Sequence, residues 1–219
     1  MTRLLSMSVL LLLTLLSNSV YAERANTWKL VKEGDGITLY SRPVAESAFH
    51  ETRGILTVPH NMNTVVALLS DFEGFNQWFY QRYGTRLLKR VSKIEHYDYS
   101  ITKAPWPVAD RDLIIHSIFS QLPQSKVIKI ELEGVKDYIP QVEGLVRTEH
   151  YKGSWIITPL EKNLTEIIFY SHAEPGGSLP AWLVNMSVVD IPFNSLVALK
   201  KQLTLAKYQG ITDLVEEKF

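Results

Sequence analysis

Six strand-like segments in a row, followed by one long amphipathic helix, constrain this chain more than any other feature. The segments are 85–91, 94–102, 112–121, 126–133, 146–158 and 165–173, punctuated by Gly, Pro and Lys/Asn clusters. Runs such as Leu113-Ile114-Ile115 and Ile167-Ile168-Phe169-Tyr170 are apolar at successive positions, so parts of the sheet should be covered on both faces. Beyond them, Ser178 is a candidate N-cap and Pro180 sits in the first helical turn, where its missing N–H costs nothing. Trp182, Met186, Val189, Phe193, Leu196 and Leu203 then fall on one stripe at helical spacing, with Ser187, Asp190, Asn194 and Lys201 on another face. A single apolar stripe must be buried against something, and the sheet is the surface on offer. The predicted class is α+β, a curved antiparallel sheet gripping the C-terminal helix. Pro192 removes the bond to Val188 and predicts a kink there.

The first third of the chain fits this closure. A short amphipathic lead over 24–32 reads as a helix, and Glu33-Gly34-Asp35-Gly36 as the turn introducing a strand at 37–42. Pro43 ends that strand, and a loop at 44–48 leads to a second strand at 49–58. His60-Asn61-Met62-Asn63 offers an N-cap for a helix buried through Val65, Val66, Leu68 and Leu69. Phe72, Phe75, Trp78 and Phe79 suggest a second short helix.

Residues 1–22 have the three parts of a secretory signal: Arg3, an almost wholly apolar run from Leu4 to Leu16, and Val20-Tyr21-Ala22 before a cut after Ala22. The apolar run is shorter than the roughly 20 residues a membrane span needs. The expected organisation is therefore a signal at 1–22 and one ligand-binding domain at 23–219. Removing the signal deletes one charge, leaving 22 Lys and Arg against 23 Asp and Glu. That balance gives no footprint for nucleic acid. The cysteine count is zero, which excludes thiolate chemistry and suits a bacterial periplasmic or secreted protein better than an exported eukaryotic one. Neither repeats nor heptads appear, so a monomer is expected.

Five fragments, in order, resemble the START (steroidogenic acute regulatory protein-related lipid transfer) family. They are Trp28-Lys29-Leu30-Val31-Lys32-Glu33 with Asp35-Gly36-Ile37-Thr38-Leu39-Tyr40; Asp71 with Trp78; Pro107-Val108-Ala109-Asp110-Arg111-Asp112; Val146-Arg147-Thr148-Glu149-His150 with Trp155-Ile156-Ile157-Thr158-Pro159-Leu160; and Gly176-Gly177-Ser178-Leu179-Pro180-Ala181-Trp182-Leu183-Val184-Asn185. The resemblance implies a helix-grip (START/Bet v 1-like) fold with an internal hydrophobic tunnel. It also implies a function of binding, shielding or transferring one lipid, such as a phospholipid, fatty acid or sterol, with transient membrane contact. In the steroidogenic member a buried carboxylate pairs with an Arg inside the tunnel. The matching positions here are Asp98 and Ser117, so that pair is absent, and Asp98 must face solvent or find another donor.

The candidate ligand-binding residues are Trp78, Tyr99, Arg111, Ile115, Thr148, His150, Tyr170, Trp182, Asn185, Met186, Val189 and Phe193. The helix stripe and the tryptophans, Trp106 and Trp155 among them, supply apolar wall or plain core. Thr148, His150, Tyr99, Tyr170 and Asn185 are polar groups for a head group, or satisfied core residues. Arg111, between Asp110 and Asp112, is either an orienting charge near the tunnel or a salt bridge opening a strand. No catalytic residues, metal ligands or cofactors are assigned: there is no Gly-x-Ser-x-Gly elbow, zinc helix or phosphate loop. The competing classes are an enzyme on the helix-grip scaffold acting on a lipid-like or polyketide substrate, its least poor acid/base pair being His150 with Asp98 or Tyr99, and a structural partner in the envelope.

Overall fold

The computed structural model describes residues 27–218 apart from Glu149, Ser178 and Pro180, and of Ala181, Trp182, Leu183 and Met186 it describes the backbone alone. The signal expected at 1–22 lies outside these residues. The strands are β1 (Lys29–Gly34), β2 (Ile37–Pro43), β3 (His50–Val58), β4 (Arg82–Arg90), β5 (Glu95–Thr102), β6 (Arg111–Gln121), β7 (Ile128–Gly134), β8 (Val146–Arg147), β9 (His150–Glu161) and β10 (Leu164–Glu174). The helices are α1 (Met62–Leu69), α2 (Phe75–Trp78) and α3 (Ala181–Gln202), with a 3-10 turn at Ala206–Tyr208.

The strands form one sheet in the order β1-β2-β3-β10-β9-β7-β6-β5-β4, antiparallel throughout, with β8 pairing β6 in parallel off that path. Helix α3 packs on β1, β2 and β3 at one end of the sheet and touches α2, which lies against β4 at the other. The sheet therefore curves round the helix, as expected, and its middle strands face α3 across a gap. The core proper sits where helix and sheet meet, through Leu39, Leu56, Leu196 and Leu199. Each such side chain contributes about 1.5–3 kcal/mol by leaving water.

Local chemistry accounts for most boundaries. Asn61 caps α1 by accepting from the Thr64 N–H at 2.9 Å. Asp71 accepts from the Gly74 N–H at 3.0 Å, and its other oxygen accepts from Lys207 and Tyr208, both at 2.7 Å, which ties the C-terminal turn to the α1–α2 corner. Asp112 and Arg147 form a two-pronged ion pair at 2.8 and 2.9 Å that locks β8 onto the start of β6.

Three expectations change. The lead at 24–32 is β1 rather than a helix where it is described, because it finds an edge to pair with: Asp35 and Gly36 both have positive φ (53° and 71°), making Gly34 to Ile37 a tight hairpin. The strand at 146–158 divides into β8 and β9. The strand expected from Thr85 begins three residues earlier, at Arg82. Helix α3 is continuous through Pro192. Next to that proline the Ser195 hydroxyl donates to the Ile191 carbonyl at 2.7 Å and accepts from the Tyr80 N–H at 2.9 Å, fastening the helix to the segment before β4.

Gly54 of β3 lies directly beneath α3, and a Cβ there would run into the Leu196 side chain. The glycine sets the distance between sheet and helix. Gly54→Val should lower stability by about 3 kcal/mol, on the scale of overpacking with backbone shift. Urea unfolding checks this, and a loss under about 0.5 kcal/mol would show that the helix is not seated on β3 as described.

Candidate functional site

The gap between the middle of the sheet and α3 is a cavity of about 180 Å³ with an open mouth. One wall comes from α3 through Val184, Val188, Ile191 and Pro192, and the opposite wall from Leu113, Thr148, Phe169 and Ala173. The rim is the loop between β5 and β6, from Lys103 to Val108, facing Pro175 and Leu179 ahead of α3. A second space of about 90 Å³ lies deeper, between β5, β6, β7 and the α1–α2 corner. Phe79, Arg82, Tyr151 and Phe169 belong to the walls of both. These four side chains form the partition of one tunnel.

The partition is built from β4 and its neighbours. Gln81 and Gly84 both have φ of 61°, and the β4–β5 register shifts between Tyr83 and Arg86. This bulge turns Arg82 inward. Its guanidinium lies over the Phe79 ring at 3.8 Å, and Phe169 meets Phe79 edge-on at 6.2 Å and stacks on Trp155 at 4.1 Å. The Nε–H of Arg82 has no hydrogen-bond partner, and enclosure by protein holds the guanidinium's pKa below its usual value despite the charges of Tyr151 and Asp98.

Asp98 is 6% exposed and lines the deeper space. Burial pushes its carboxyl up to about 7, against the opposing pull of Arg82 and a hydrogen bond from Ser117. His96 lies 3.7 Å from it, its imidazole pushed down to about 4 by burial and by Arg90 and His116. Asp98 thus takes its hydrogen bond from Ser117, the residue standing where the resemblance expects an Arg.

Among the candidate residues, Arg111 and Thr148 line the larger space and Ile115 the deeper one. Arg111 does not close a salt bridge, because Asp112 is taken by Arg147 and Asp110 by Tyr83 and the Ala104 N–H. Its Nη1 donates to the Ala109 carbonyl, and its Nε–H is unpartnered. Of the remaining candidates, those whose side chains are described stand apart from the tunnel walls. Trp78 packs in the core against Phe75 and Phe79. Tyr99 is buried on the opposite face of β5, under Arg86. His150 is exposed, so neither Asp98 nor Tyr99 meets it in the tunnel. Tyr170 points out beside Trp28. Asn185 accepts from the His50 N–H at 3.1 Å and holds α3 to β3. Val189 and Phe193 pack on the sheet one stripe round from the cavity. The side chains of Trp182 and Met186 lie outside the described residues. Of the other tryptophans, Trp155 reaches the deeper space, and Trp106 is 93% exposed on the rim loop.

Arg82, Phe79 and the Val184–Val188–Ile191 line were missed. A polar run, Tyr80-Gln81-Arg82-Tyr83-Gly84, reads as a turn. A lone Arg flanked by aromatics was the available signal. On the helix the heavier residues drew the stripe, although they are the ones buried against the sheet.

Comparison with known proteins points one way. The model of the START domain matches residues 13–206. A protein of Pseudomonas aeruginosa with no assigned activity is 33% identical over 195 residues, 87% of this chain and 96% of that one. The phosphatidylcholine transfer protein of Mus musculus is 26% identical, over 72% of this chain and 75% of its own length. The crystal structure of a STAR-related lipid transfer protein from Xanthomonas axonopodis is 36% identical with a TM-score of 0.76, covering 81% of this chain and 99% of that one. Human StAR-related lipid transfer protein 5, at 18% identity and a TM-score of 0.73 over 90% and 97%, shows the same fold.

Proposed function

Because the chain belongs to the START domain family, we propose that it encloses one hydrophobic ligand, a lipid, between the sheet and α3, shields it from water and passes it between membranes. The observation that carries this reading is the cavity between the sheet and α3, with its apolar helix wall and a few convergent polar groups. Burying an acyl chain there contributes about 25 cal/mol for each Å² removed from water. The names of the phosphatidylcholine transfer protein and the lipid transfer structures are consistent with it. The proposal extends to export as a monomer after cleavage at Ala22, with no cofactor and no catalytic role. Entry is by movement of the rim loop and the start of α3. The test is transfer of a fluorescent phospholipid or fatty acid between vesicles by the purified protein. Acceleration in proportion to protein concentration supports the reading, and none for any lipid class removes it.

Trp106, on the rim loop, is placed to enter a membrane interface, where indole rings sit well. Trp106→Ala should slow vesicle transfer several-fold while loading and thermal stability stay unchanged. An unaltered rate would place the membrane contact elsewhere.

One observation favours a second reading, an enzyme on this scaffold: His96 and Asp98 face each other at 3.7 Å in the deeper space, both biased toward neutral forms near pH 6. Turnover of a lipid-like substrate lost in His96→Gln would establish it.

A further inference from the structure

Charge in the tunnel is one-sided. Arg82, Lys103 and Arg111 line the larger space, whose described walls include no Asp or Glu. Arg82, Arg90 and Lys93 line the deeper one, where Asp98 is the single acid. None of these five cations forms an ion pair among the described residues, and the Nε–H groups of Arg82 and Arg111 point at no acceptor. Surface cations are neutralised by water, but a guanidinium enclosed at the partition is not, and it does not shed its proton.

We propose that the ligand is an anionic amphiphile, its carboxylate or phosphate head bound by Arg82 at the partition with Arg111 behind it, and its tail lying along Val184, Val188 and Ile191. This rests on the lipid-binding reading and names the class of lipid. An anion beside the guanidinium takes a charge-assisted bond from it and compensates its charge at the same time. A zwitterionic choline head fits worse. Its ammonium would meet Arg82, Lys103 and Arg111 in a space whose described walls include no Asp or Glu to balance it. The neighbouring Asp98 opposes the anion only in part, since burial raises its carboxyl to about 7 and keeps a share of it protonated near neutral pH.

The experiment is competitive loading of lipid-stripped protein, read by native mass spectrometry. One mixture holds equimolar oleate and oleyl alcohol, the other vesicles of equimolar phosphatidylglycerol and phosphatidylcholine. The wild type should take the anionic member over its neutral or zwitterionic counterpart by at least about tenfold, the scale of one charge-assisted hydrogen bond. Preference in the first mixture alone identifies a carboxylate, and in the second alone a phosphate. Arg82→Gln should bring the ratio near one while uptake of oleyl alcohol persists, and Arg82→Lys should keep part of the preference. Should the Gln variant fail to fold, the wild-type ratios and the Lys variant still decide. A wild-type ratio near one in both mixtures, or an unchanged ratio in Arg82→Gln, overturns the assignment. Uptake of neither member of either mixture overturns the lipid-binding reading itself.

Discussion

Replacing Val188 by tryptophan abolishes lipid loading and leaves the protein folded. Val188 lies midway along the helix wall of the larger cavity, between Val184 and Ile191. An indole there has open space ahead of it rather than packed core, so it fills the void the acyl chain needs without the 1–3 kcal/mol that overpacking usually costs. Loading should fall by at least about tenfold, the equivalent of roughly 1.4 kcal/mol, with a melting temperature equal to or above that of the wild type. The same change at Val189 gives the opposite pair of results. Val189 packs toward the sheet, so tryptophan there should destabilise the protein and spare the cavity. Equal loading by Val188→Trp and wild type would mean that lipid does not lie along α3.

Asp98→Asn should stabilise the protein, by an amount that grows from about pH 4 and levels off above about pH 7. Below about pH 4 the carboxyl is protonated in folded and unfolded chains alike. Between about 4 and 7 the unfolded chain gives up the proton while the folded one keeps it, so Asp98 lowers stability as pH rises through that window. Above 7 the loss is constant at about 4 kcal/mol, from 1.36 kcal/mol per unit between the ordinary 3.8 and about 7. His96 works against this. Held down to about 4 from 6.5, it lowers stability as pH falls through nearly the same range. In the wild type the two slopes offset each other. The groups facing Asp98 are His96 on its own strand, Ser117 on β6, Arg82 on β4 and Tyr151 on β9, with Arg90 and Lys93 further along the same space. Urea unfolding of both proteins at pH 4.5 and pH 8 decides the matter: Asp98→Asn should be near neutral at the first and more stable at the second. An equal difference at both values would mean that Asp98 is not protonated in the folded protein at neutral pH.

How far the residues announced this arrangement varies with the kind of signal each carries. The antiparallel sheet and the helix it grips were readable because alternation and helical periodicity repeat over many positions, so single errors average out. Asn61 and the Asp35–Gly36 turn were readable because their chemistry is local. The lead at 24–32 misled because a few residues fit both periods, and pairing with β2 settled it. The partition was hidden for a different reason. Arg82 lies just before a bulge in β4, with Gln81 at positive φ, and within a polar run only its aromatic neighbours mark it out. The helix wall was displaced by one stripe because size was taken as the sign of a ligand contact. The large residues Phe193 and Leu196 are buried by the sheet, and the smaller Val184 and Val188 are what leave room for a guest. Arg111 could be read as either of two things until its neighbours were placed, and both flanking carboxylates turned out to be engaged elsewhere.

The most direct measurement is native mass spectrometry of the protein purified without added lipid, alongside Val188→Trp, with the released small molecules identified under denaturing conditions. The account predicts one lipid per chain, anionic at its head, present on the wild type and missing from the variant. A wild type that emerges empty and takes up no sterol, fatty acid or phospholipid afterwards would contradict it.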